Sequence, residues 1–551
     1  MSQNTPSTPN TSDTPDAPKK GRGGRRHRLL YNNDRGFFYY LPPSTGVDGI
    51  IEEVVGRLRG TQIDTLVARI DRGNLVPMFD SRIEGKVGKG ETSFPTVEVW
   101  RHVTAMRRLF DQGIDPWVHL FDAIRAAGMA AFTTIRMNDL HHTKVKRAFT
   151  AWDSFYISDI ARNEKYYIGE DYGHYAEPGT YSMAAKLLNF AHDEVRQHRI
   201  AIVEEIVERY DIDGFELDFQ RHGLYFPEAQ VEEGTPLMTD MIRRIRKIFD
   251  RFENERGHPI CLMVRVPSWI ETCRRMGFDL ETWVQEGLVD MIAASPVAQT
   301  ELDAPVEDFV ALTRGTPCEV FGTLEYIVQP PYEKYLPEMG RAGAAWYHHC
   351  GVDGIYFEND HHHYEPYLDV NNGEPRLVQP VEHRALYNEL HDPQAIRWRS
   401  KRYMVSAKHH DWPSFPKPLP TSWDRRQQGE TKRFTVKMAD DMERATQSGR
   451  LEAVHLRFIL VSACEEDRFD ATFNGHALPA EAALAKNLRG GVHSHGDMIL
   501  IQFALPPEWV IVGQNAVEIV LAKANTAIAD PIGLIGVEVD VNYRRAPLKL
   551  A

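Results

Sequence analysis

Two acidic residues stand two positions apart near the middle of the chain, in the segment Tyr210-Asp-Ile-Asp-Gly-Phe-Glu-Leu-Asp-Phe-Gln220. If this segment is a strand, Glu216 and Asp218 point to the same face, because side chains alternate between the two faces of a strand. The apolar residues between them then pack on the opposite face. Carboxyl groups are among the groups that general acid–base and nucleophilic catalysis use. The segment therefore predicts a catalytic site built on this strand.

Strand-like runs that end in polar residues alternate with amphipathic helical stretches, which is the pattern of β–α units around a parallel sheet. Eight such runs are predicted, at 29–34, 65–71, 130–136, 214–219, 261–266, 291–295, 320–326 and 354–358. Eight units predict a (β/α)8 TIM barrel with enlarged loops, in the α/β class, since the basic barrel needs about 250 residues. A doubly wound open sheet is the structural alternative.

The carboxyl ends of the strands in such a barrel meet at one mouth, so polar residues at these ends are collected into a single site. We predict that four acidic residues of the fourth, seventh and eighth strands are catalytic, namely Asp218, Glu216, Glu325 and Glu358. The residues predicted to bind substrate are Asn33, Asp34, Asp71, Arg136, Asn138, Asp139, His141, Arg265 and Asn359. Each of them could instead satisfy the backbone of a loop, but their recurrence on nearly every strand favours a functional set.

An internal repetition relates the fourth and eighth strands. Residues 352–358 match residues 212–218 position for position in their apolar and acidic side chains, so Asp218 and Glu358 lie at equivalent depths. Strands four and eight face each other across a barrel, and we expect this pair to be too distant for direct cooperation unless a substrate lies between. Glu325 is the better expected partner. A glycosidase needs one carboxyl group to protonate the leaving oxygen and another to attack or to activate water.

Two neighbouring segments, Leu188-Asn-Phe-Ala-His-Asp-Glu-Val-Arg196 and 206–218, resemble the helix start "NPEVR" and the strand "YDVDGIHFDD" of glycosyl-hydrolase-like family 10 over about thirty residues. Asp218 takes the place of the family's first strand-end Asp. Phe219 replaces the second, and Glu216 stands where the family commonly has His. The resemblance implies a TIM barrel and glycoside hydrolysis of a polysaccharide or oligosaccharide, without fixing the sugar.

The same strand is similar to the pattern D-G-x-D-x-D-x-E of the family 18 chitinases, but Gln220 stands where those enzymes have their catalytic Glu. Chitinase chemistry with this residue as the acid is therefore not expected. In barrel glycosidases that take their acid from strand four and their nucleophile from strand seven, Glu216 or Asp218 and Glu325 would hold these positions. Phe215 stands where those enzymes have Asn.

Two other classes of function are open. A non-catalytic carbohydrate-binding or structural barrel is favoured by Phe219 and Gln220. A metal-assisted hydrolase or lyase would use the histidines at 141–142, 348–349 and 361–363, which flank the third and eighth strands. Their spacing is not that of a zinc site, and we predict no metal and no cofactor.

The composition limits the possible partners. The net charge of −14 argues against nucleic acid, because binding phosphates requires concentrated Lys and Arg. Neither a secretory signal nor a membrane span is visible, so a cytoplasmic location without a membrane partner is predicted. The five cysteines lack metal or redox spacing and are expected to be reduced. A carbohydrate substrate is the predicted partner, and the oligomeric state is left open.

Four regions are predicted along the chain. Residues 1–27 form a disordered basic tail, because their Gly, Ser, Thr, Pro and Arg cannot bury a core. Residues 28–395 form the barrel, and 396–420 form a Pro-rich linker. Residues 421–551 are predicted to form an accessory β-sandwich, since short alternating runs are separated there by turn signals.

Overall fold

The structure is a computed structural model of the chain. It describes residues 21–34, 41–71, 74, 77–86, 88, 92–94, 97–140, 157–171, 184–296, 300–325, 328, 335–359, 367–369, 376–378, 380–405, 418–488 and 498–544.

Eight parallel strands close into a barrel in chain order, with β8 hydrogen-bonded to β1. The predicted (β/α)8 barrel is confirmed. The strands are β1 (Leu29–Asn33), β2 (Thr65–Asp71), β3 (Ala130–Arg136), β4 (Gly214–Asp218), β5 (Cys261–Pro267), β6 (Met291–Ser295), β7 (Glu319–Glu325) and β8 (Gly354–Glu358).

Helices follow or connect the strands and bury their apolar faces against the outward side chains of the barrel. They are α1 (Val47–Val54), α2 (Val97–Asp111), α3 (Pro116–Ala126), α4 (Asp193–Arg209), α5 (Val231–Arg256), α6 (Ile270–Arg275), α7 (Leu280–Gln285), α8 (Val306–Leu312), α9 (Pro337–Cys350), α10 (Pro380–Glu389) and α11 (Pro393–Ile396). Asp193 and Glu194 lie in the first turn of α4. Carboxylates are favourable there because the amino-terminal end of a helix carries partial positive charge.

The lumen of the barrel has an apolar floor below its polar mouth. Its side chains come from alternate strand positions and form a cluster separate from the outer core: Leu30, Val67, Ala130, Phe132, Cys261, Met263, Met291, Ala293, Phe321 and Tyr356. Gly214 is part of this packing, because a Cβ atom there would lie 2.3 Å from the Phe132 ring. The lower part of the lumen is therefore a packed core, and the polar residues lie above it at the carboxyl ends of the strands.

Antiparallel sheets make up the rest of the described chain. A two-stranded sheet pairs β9 (Tyr367–Asp369) with β10 (Arg376–Val378). The later elements are β11 (Lys401–Met404), β12 (Thr421–Trp423), β13 (Thr431–Met438), α12 (Met442–Gln447), β14 (Leu451–Val461), β15 (Arg468–Phe473), β16 (His476–Leu478), β17 (Leu484–Leu488), β18 (Met498–Ala504), β19 (Gly513–Lys523) and β20 (Ile532–Tyr543). One sheet has the order β11-β20-β14-β18-β17, with β12 also pairing with β20, and the other has the order β13-β19-β15-β16.

Two expectations about the ends of the barrel were wrong. Part of the predicted tail is ordered: Arg22 forms ion pairs with Asp250, Glu253 and Asp290 at 3.0, 2.7 and 3.3 Å. These three carboxylates hold Arg22 in place, which the basic composition of the tail did not reveal. The predicted linker also contains β11, whose backbone pairs with β20, so the six-stranded sheet begins before the Pro-rich segment.

Among the described helices, none is both long and apolar enough to cross a membrane.

Candidate active site

The acidic residues of β4 face the lumen, as the alternation of the strand predicts. Glu216 accepts a hydrogen bond from Thr134 of β3 at 2.7 Å, and its Oε1 lies 3.5 Å from Asn32 Nδ2 of β1. Asp218 lies one layer closer to the mouth, where it is paired in register with Arg265 of β5. Strand geometry thus brings the two carboxyl groups to the lumen face at different depths.

Arg265 is the centre of the site. Its Nε and Nη2 atoms donate to the two oxygens of Asp218 at 3.0 and 3.1 Å. Its Nη1 atom donates to Glu325 Oε1 at 3.0 Å and to Ser295 Oγ at 2.9 Å. Nη2 also lies 3.5 Å from Glu358 Oε1. One buried guanidinium therefore joins acids from β4, β7 and β8.

This arrangement corrects the expected separation of Asp218 and Glu358. Both carboxyl groups contact the same nitrogen, Arg265 Nη2, and so lie within two hydrogen-bond lengths of each other. The sequence placed them on opposite sides of the barrel and did not account for long side chains that extend inward. Arg265 had been predicted only to bind substrate, whereas its contacts in the structure are with the acids.

Asp218 is an ionised carboxylate. Burial opposes its ionisation, but the positive charges of Arg265 and Arg136 outweigh burial and lower the pKa of Asp218 below its usual value. The backbone N–H groups of Gln220 and Arg221 also donate to its Oδ1 at 3.0 and 3.2 Å. With these donors on its two oxygens, Asp218 is suited to holding Arg265 in place.

Glu216 and Glu325 behave in the opposite way. Burial raises the pKa of Glu216 to about 8, and the negative charges of Glu358 and Asp218 add to this shift. Burial also raises the pKa of Glu325 to about 8, against the positive charge of Arg265 and with the negative charge of Glu358. Both groups therefore keep a proton at neutral pH. Such a carboxylic acid is the form that a general acid requires.

Three glutamates present one free oxygen each. The Oε2 atoms of Glu216, Glu325 and Glu358 are buried and have no hydrogen-bond partner among the described residues. Glu325 and Glu358 are also directly paired in register on β7 and β8. Adjacent strands lie about 4.8 Å apart, so these two side chains leave the backbone at neighbouring positions on the wall of the barrel.

A second group of charges lies on the β1–β3 side of the mouth. Arg136 donates to both oxygens of Asp34 at 2.9 Å and to Asp139 Oδ2 at 2.8 Å. Arg69 also forms an ion pair with Asp34. Asp34, Arg136 and Asp139 are thus brought together, with their charges largely satisfied by each other.

Several predicted substrate ligands lie outside this central cluster. Asn33 shares the outer face of β1 with Leu29 and Tyr31, because the lumen face belongs to Leu30 and Asn32. Asp71 follows an irregularity in the β2–β3 pairing, and its charge acts on Arg199 of α4.

Two further predicted ligands have other surroundings, and one is not described. Asn138 donates to the carbonyl oxygens of Leu188 and Leu224, both at 2.9 Å, so it joins two loops. Asn359 follows β8 with a left-handed backbone, at φ 51°. His141 lies outside the described residues.

Contacts of the site also include residues that were not predicted as ligands. Thr134, Asn32 and Tyr356 extend from Glu216 as a short hydrogen-bonded group, with Asn32 Nδ2 donating to Tyr356 OH at 2.8 Å. Period-two alternation on β1, β3 and β8 could have identified all three. Arg221 follows β4 and donates its backbone N–H to Asp218 Oδ1 at 3.2 Å, a contact that the sequence did not indicate.

Within the ranges that the structure describes, no group of three or more His, Cys, Asp and Glu side chains is arranged to hold a metal ion. The histidine runs at 141–142 and 361–363 lie outside those ranges. His348, which is described, bonds through Nε2 to the carbonyl oxygen of Leu390 at 2.8 Å.

No protein-family model and no curated protein matches the chain. The solved structures that it matches include those of several glycoside hydrolases. The PgaB (BpsB) glycoside hydrolase domain from Bordetella bronchiseptica is matched at 10% identity and a TM-score of 0.37, over 60% of this chain and 93% of that one. Alpha-L-fucosidase isoenzyme 2 from Paenibacillus thiaminolyticus is matched at 13% identity and a TM-score of 0.36, over 67% of this chain and 49% of that one. A family GH18 chitinase from Chromobacterium violaceum is matched at 10% identity and a TM-score of 0.33, over 92% of this chain and 89% of that one. Likenesses this weak say nothing about individual residues.

Proposed function

We propose that the chain is a glycoside hydrolase that cleaves an oligosaccharide or polysaccharide with two carboxyl groups of the barrel mouth. Glu325 is the general acid and Glu358 is the nucleophile. The observation that carries this proposal is the register pairing of two buried glutamates on neighbouring strands, each with an Oε2 atom that has no hydrogen-bond partner among the described residues. Burial raises the pKa of Glu325 to about 8, which favours it as the acid.

The proposed reaction retains the anomeric configuration and has two steps. In the first, Glu325 transfers its proton to the glycosidic oxygen, the bond from this oxygen to the anomeric carbon breaks, and a Glu358 oxygen bonds to that carbon. In the second, the ionised Glu325 takes a proton from a water molecule whose oxygen attacks the anomeric carbon. Glu358 then leaves as a carboxylate, and Glu325 is again protonated.

Arg265 and Asp218 are positioning residues in this scheme. Arg265 holds Glu325 through Oε1, which leaves Oε2 as the oxygen that faces the substrate. Asp218 fixes Arg265 with two hydrogen bonds. Arg265 also stabilises Glu325 after it has lost its proton, because the guanidinium charge favours the ionised form.

A reducing-end assay over a panel of polysaccharides tests the proposal. We expect the parent to release reducing ends, and Glu325→Gln and Glu358→Gln to lose most of this activity. Glu286→Gln is the control, because Glu286 forms an exposed ion pair with Arg243 at 2.7 Å, away from the mouth. A parent that cleaves nothing, or a fully active Glu325→Gln variant, would contradict the proposal.

Aryl glycosides separate the two roles. A nitrophenolate leaves without a proton, so Glu325→Gln should lose much less activity on nitrophenyl glycosides than on natural glycans. Glu358→Ala should be inactive on both and should recover turnover with azide, which attacks the anomeric carbon from the vacated side. Identical losses of the two variants on both substrates would reject the assigned roles.

A second candidate is a barrel that binds carbohydrate without cleaving it. One observation favours it: the side chains of Asp218, Glu325 and Glu358 are 5%, 1% and 2% exposed and are joined by Arg265. Glycan binding in calorimetry without release of reducing ends would select this candidate.

A further inference from the structure

Among the residues that the structure describes, Arg221 at the barrel mouth has no ion-pair partner. It follows β4, is partly exposed, and its Nε atom is buried without a hydrogen-bond partner among the described residues. No ion pair of its guanidinium is formed within the described part of the chain. The neighbouring arginines differ: Arg136 is paired with Asp34, and Arg265 with Asp218.

The surroundings of Arg221 place it beside the acids of the mouth, since its backbone N–H donates to Asp218 Oδ1 at 3.2 Å. The charges that act on it belong to Arg136 of β3, Arg265 of β5, Glu325 of β7 and Asp139 of the loop after β3. These groups belong to several elements around the mouth, so Arg221 lies within the electrostatic range of all of them. Burial raises the pKa of Glu325 to about 8, so this group carries little negative charge at pH 7 to balance Arg221.

The positive charge of Arg221 is unfavourable at this position in the unliganded chain. Burial lowers the pKa of Arg221, and repulsion by Arg136 and Arg265 lowers it further, which together outweigh the attraction of Glu325 and Asp139. A buried cation of this kind is stabilised by an anion that brings its own hydrogen-bond acceptors. A guanidinium presents a planar fork of N–H donors, which fits the two oxygens of a carboxylate.

We propose that Arg221 binds the carboxylate of an acidic sugar, so that the glycan recognised at this mouth contains uronate residues. The inference rests on the proposed function, since it names the substrate class of the same site. The carboxylate of the sugar would sit beside Glu325, where its charge replaces the counter-ion that Arg221 lacks.

Calorimetry on the full-length Glu325→Gln variant tests the inference without turnover. The probes are tetrasaccharides of galacturonate, glucuronate and mannuronate, each with its carboxyl-reduced counterpart, in which CH2OH replaces the carboxylate. We expect at least one uronate probe to bind about tenfold more tightly than its reduced counterpart, as for one charged hydrogen-bonded pair. Adding Arg221→Gln should remove this preference, and Arg221→Lys should keep part of it.

Arg433→Gln is the matched control, because Arg433 is an exposed arginine of β13 paired with Glu518 at 2.7 Å. It should leave the preference unchanged. Uronate probes that bind no more tightly than their reduced counterparts would overturn the inference, and so would a preference that survives Arg221→Gln. Tighter Arg221-dependent binding of a sulfated galactan tetrasaccharide than of any uronate would overturn the choice of carboxylate.

Failure of this inference and failure of the proposed function give different results. An Arg221-dependent uronate preference in a parent that hydrolyses nothing would reject the hydrolase and keep the acidic ligand. Hydrolysis of neutral glycans without a uronate preference would reject the acidic ligand and keep the hydrolase.

Discussion

Asp218 and Glu325 hydrogen-bond to the same guanidinium, yet their pKa values shift in opposite directions. Asp218 receives two hydrogen bonds from Arg265 and two from backbone N–H groups, whereas Glu325 receives one from Arg265. The number of charged and polar donors therefore decides which carboxyl group ionises at equal burial. This difference makes the two residues separable by substitution.

Replacing Asp218 by Asn should destabilise the chain. The change removes the main counter-ion of buried Arg265, and breaking a buried pair costs about 3 kcal/mol. Sequence reasoning alone predicts little change in stability, because Asn keeps the shape of Asp. Urea unfolding at pH 7 measures the free energy of unfolding, with Asp122→Asn as an exposed control. A loss below about 0.5 kcal/mol would show that Arg265 does not depend on Asp218.

Replacing Glu325 by Gln should leave stability at pH 7 nearly unchanged while activity is lost. The native group already carries a proton, so Gln keeps its charge, its shape and an oxygen that accepts from Arg265. We expect a change within about 1 kcal/mol, as for a replacement that leaves no buried charge unpaired. A loss as large as that of Asp218→Asn would mean that Glu325 is ionised in the folded chain.

The raised pKa of Glu325 also predicts a pH dependence of stability. The unfolded carboxyl group loses its proton near pH 4.5, whereas the folded one keeps it to about pH 8. Between these values the folded state binds more protons, so stability falls as pH rises, by about 1.4 kcal/mol per pH unit for this group. Unfolding at pH 5.0, 6.5 and 8.0 should show a smaller fall in Glu325→Gln than in the parent. Equal slopes would contradict the prediction.

At the scale of elements, the strands could be predicted because each is a short apolar run bounded by polar residues. Four of the eight predicted strands have the observed bounds, three differ by one residue at one end, and the seventh is shifted by one residue at both ends. The side of the strand to which each residue points also follows from sequence. The exception is a strand whose end is uncertain, as at Asn32 and Asn33, where the lumen-facing residue was not identified correctly. The contacts of Arg265 could not be predicted, because they join strands that are distant in sequence through a long side chain.

Gly214 tests how the lumen floor positions the acids of β4. Gly214→Ala places a methyl group against the Phe132 ring, and such overpacking costs about 1–3 kcal/mol. Because Glu216 is two residues away, the shift should also reduce activity. Adding Phe132→Leu frees space for the methyl group and should restore part of the stability in thermal melting. A double variant no more stable than Gly214→Ala would show that the ring is not the cause.

At the scale of the whole molecule, α9 connects the barrel to the antiparallel sheets. It follows β7 in the chain and packs against β11 and β13. Lys437 of β13 donates to Glu307 of α8 at 2.7 Å and lies 5.3 Å from the centre of the Trp346 ring of α9. The apolar residues of both parts belong to one continuous cluster. These contacts indicate that the sheets support the wall of the barrel next to β7 and β8, which carry Glu325 and Glu358.

This support predicts the behaviour of fragments. A fragment of residues 28–395 lacks β11 and β13, so the face of α9 that they cover becomes exposed to water. We expect it to be less soluble and to melt at lower temperature than the full chain, which should unfold in one transition because the two parts share a core. Lys437→Gln in the full chain is a milder test and should cost about 1 kcal/mol, since the ion pair is partly exposed. A soluble, fully active fragment with the melting temperature of the full chain would show that the sheets do not support the barrel. Glycan binding by the separately expressed residues 396–551 would then point to sugar contact as their role.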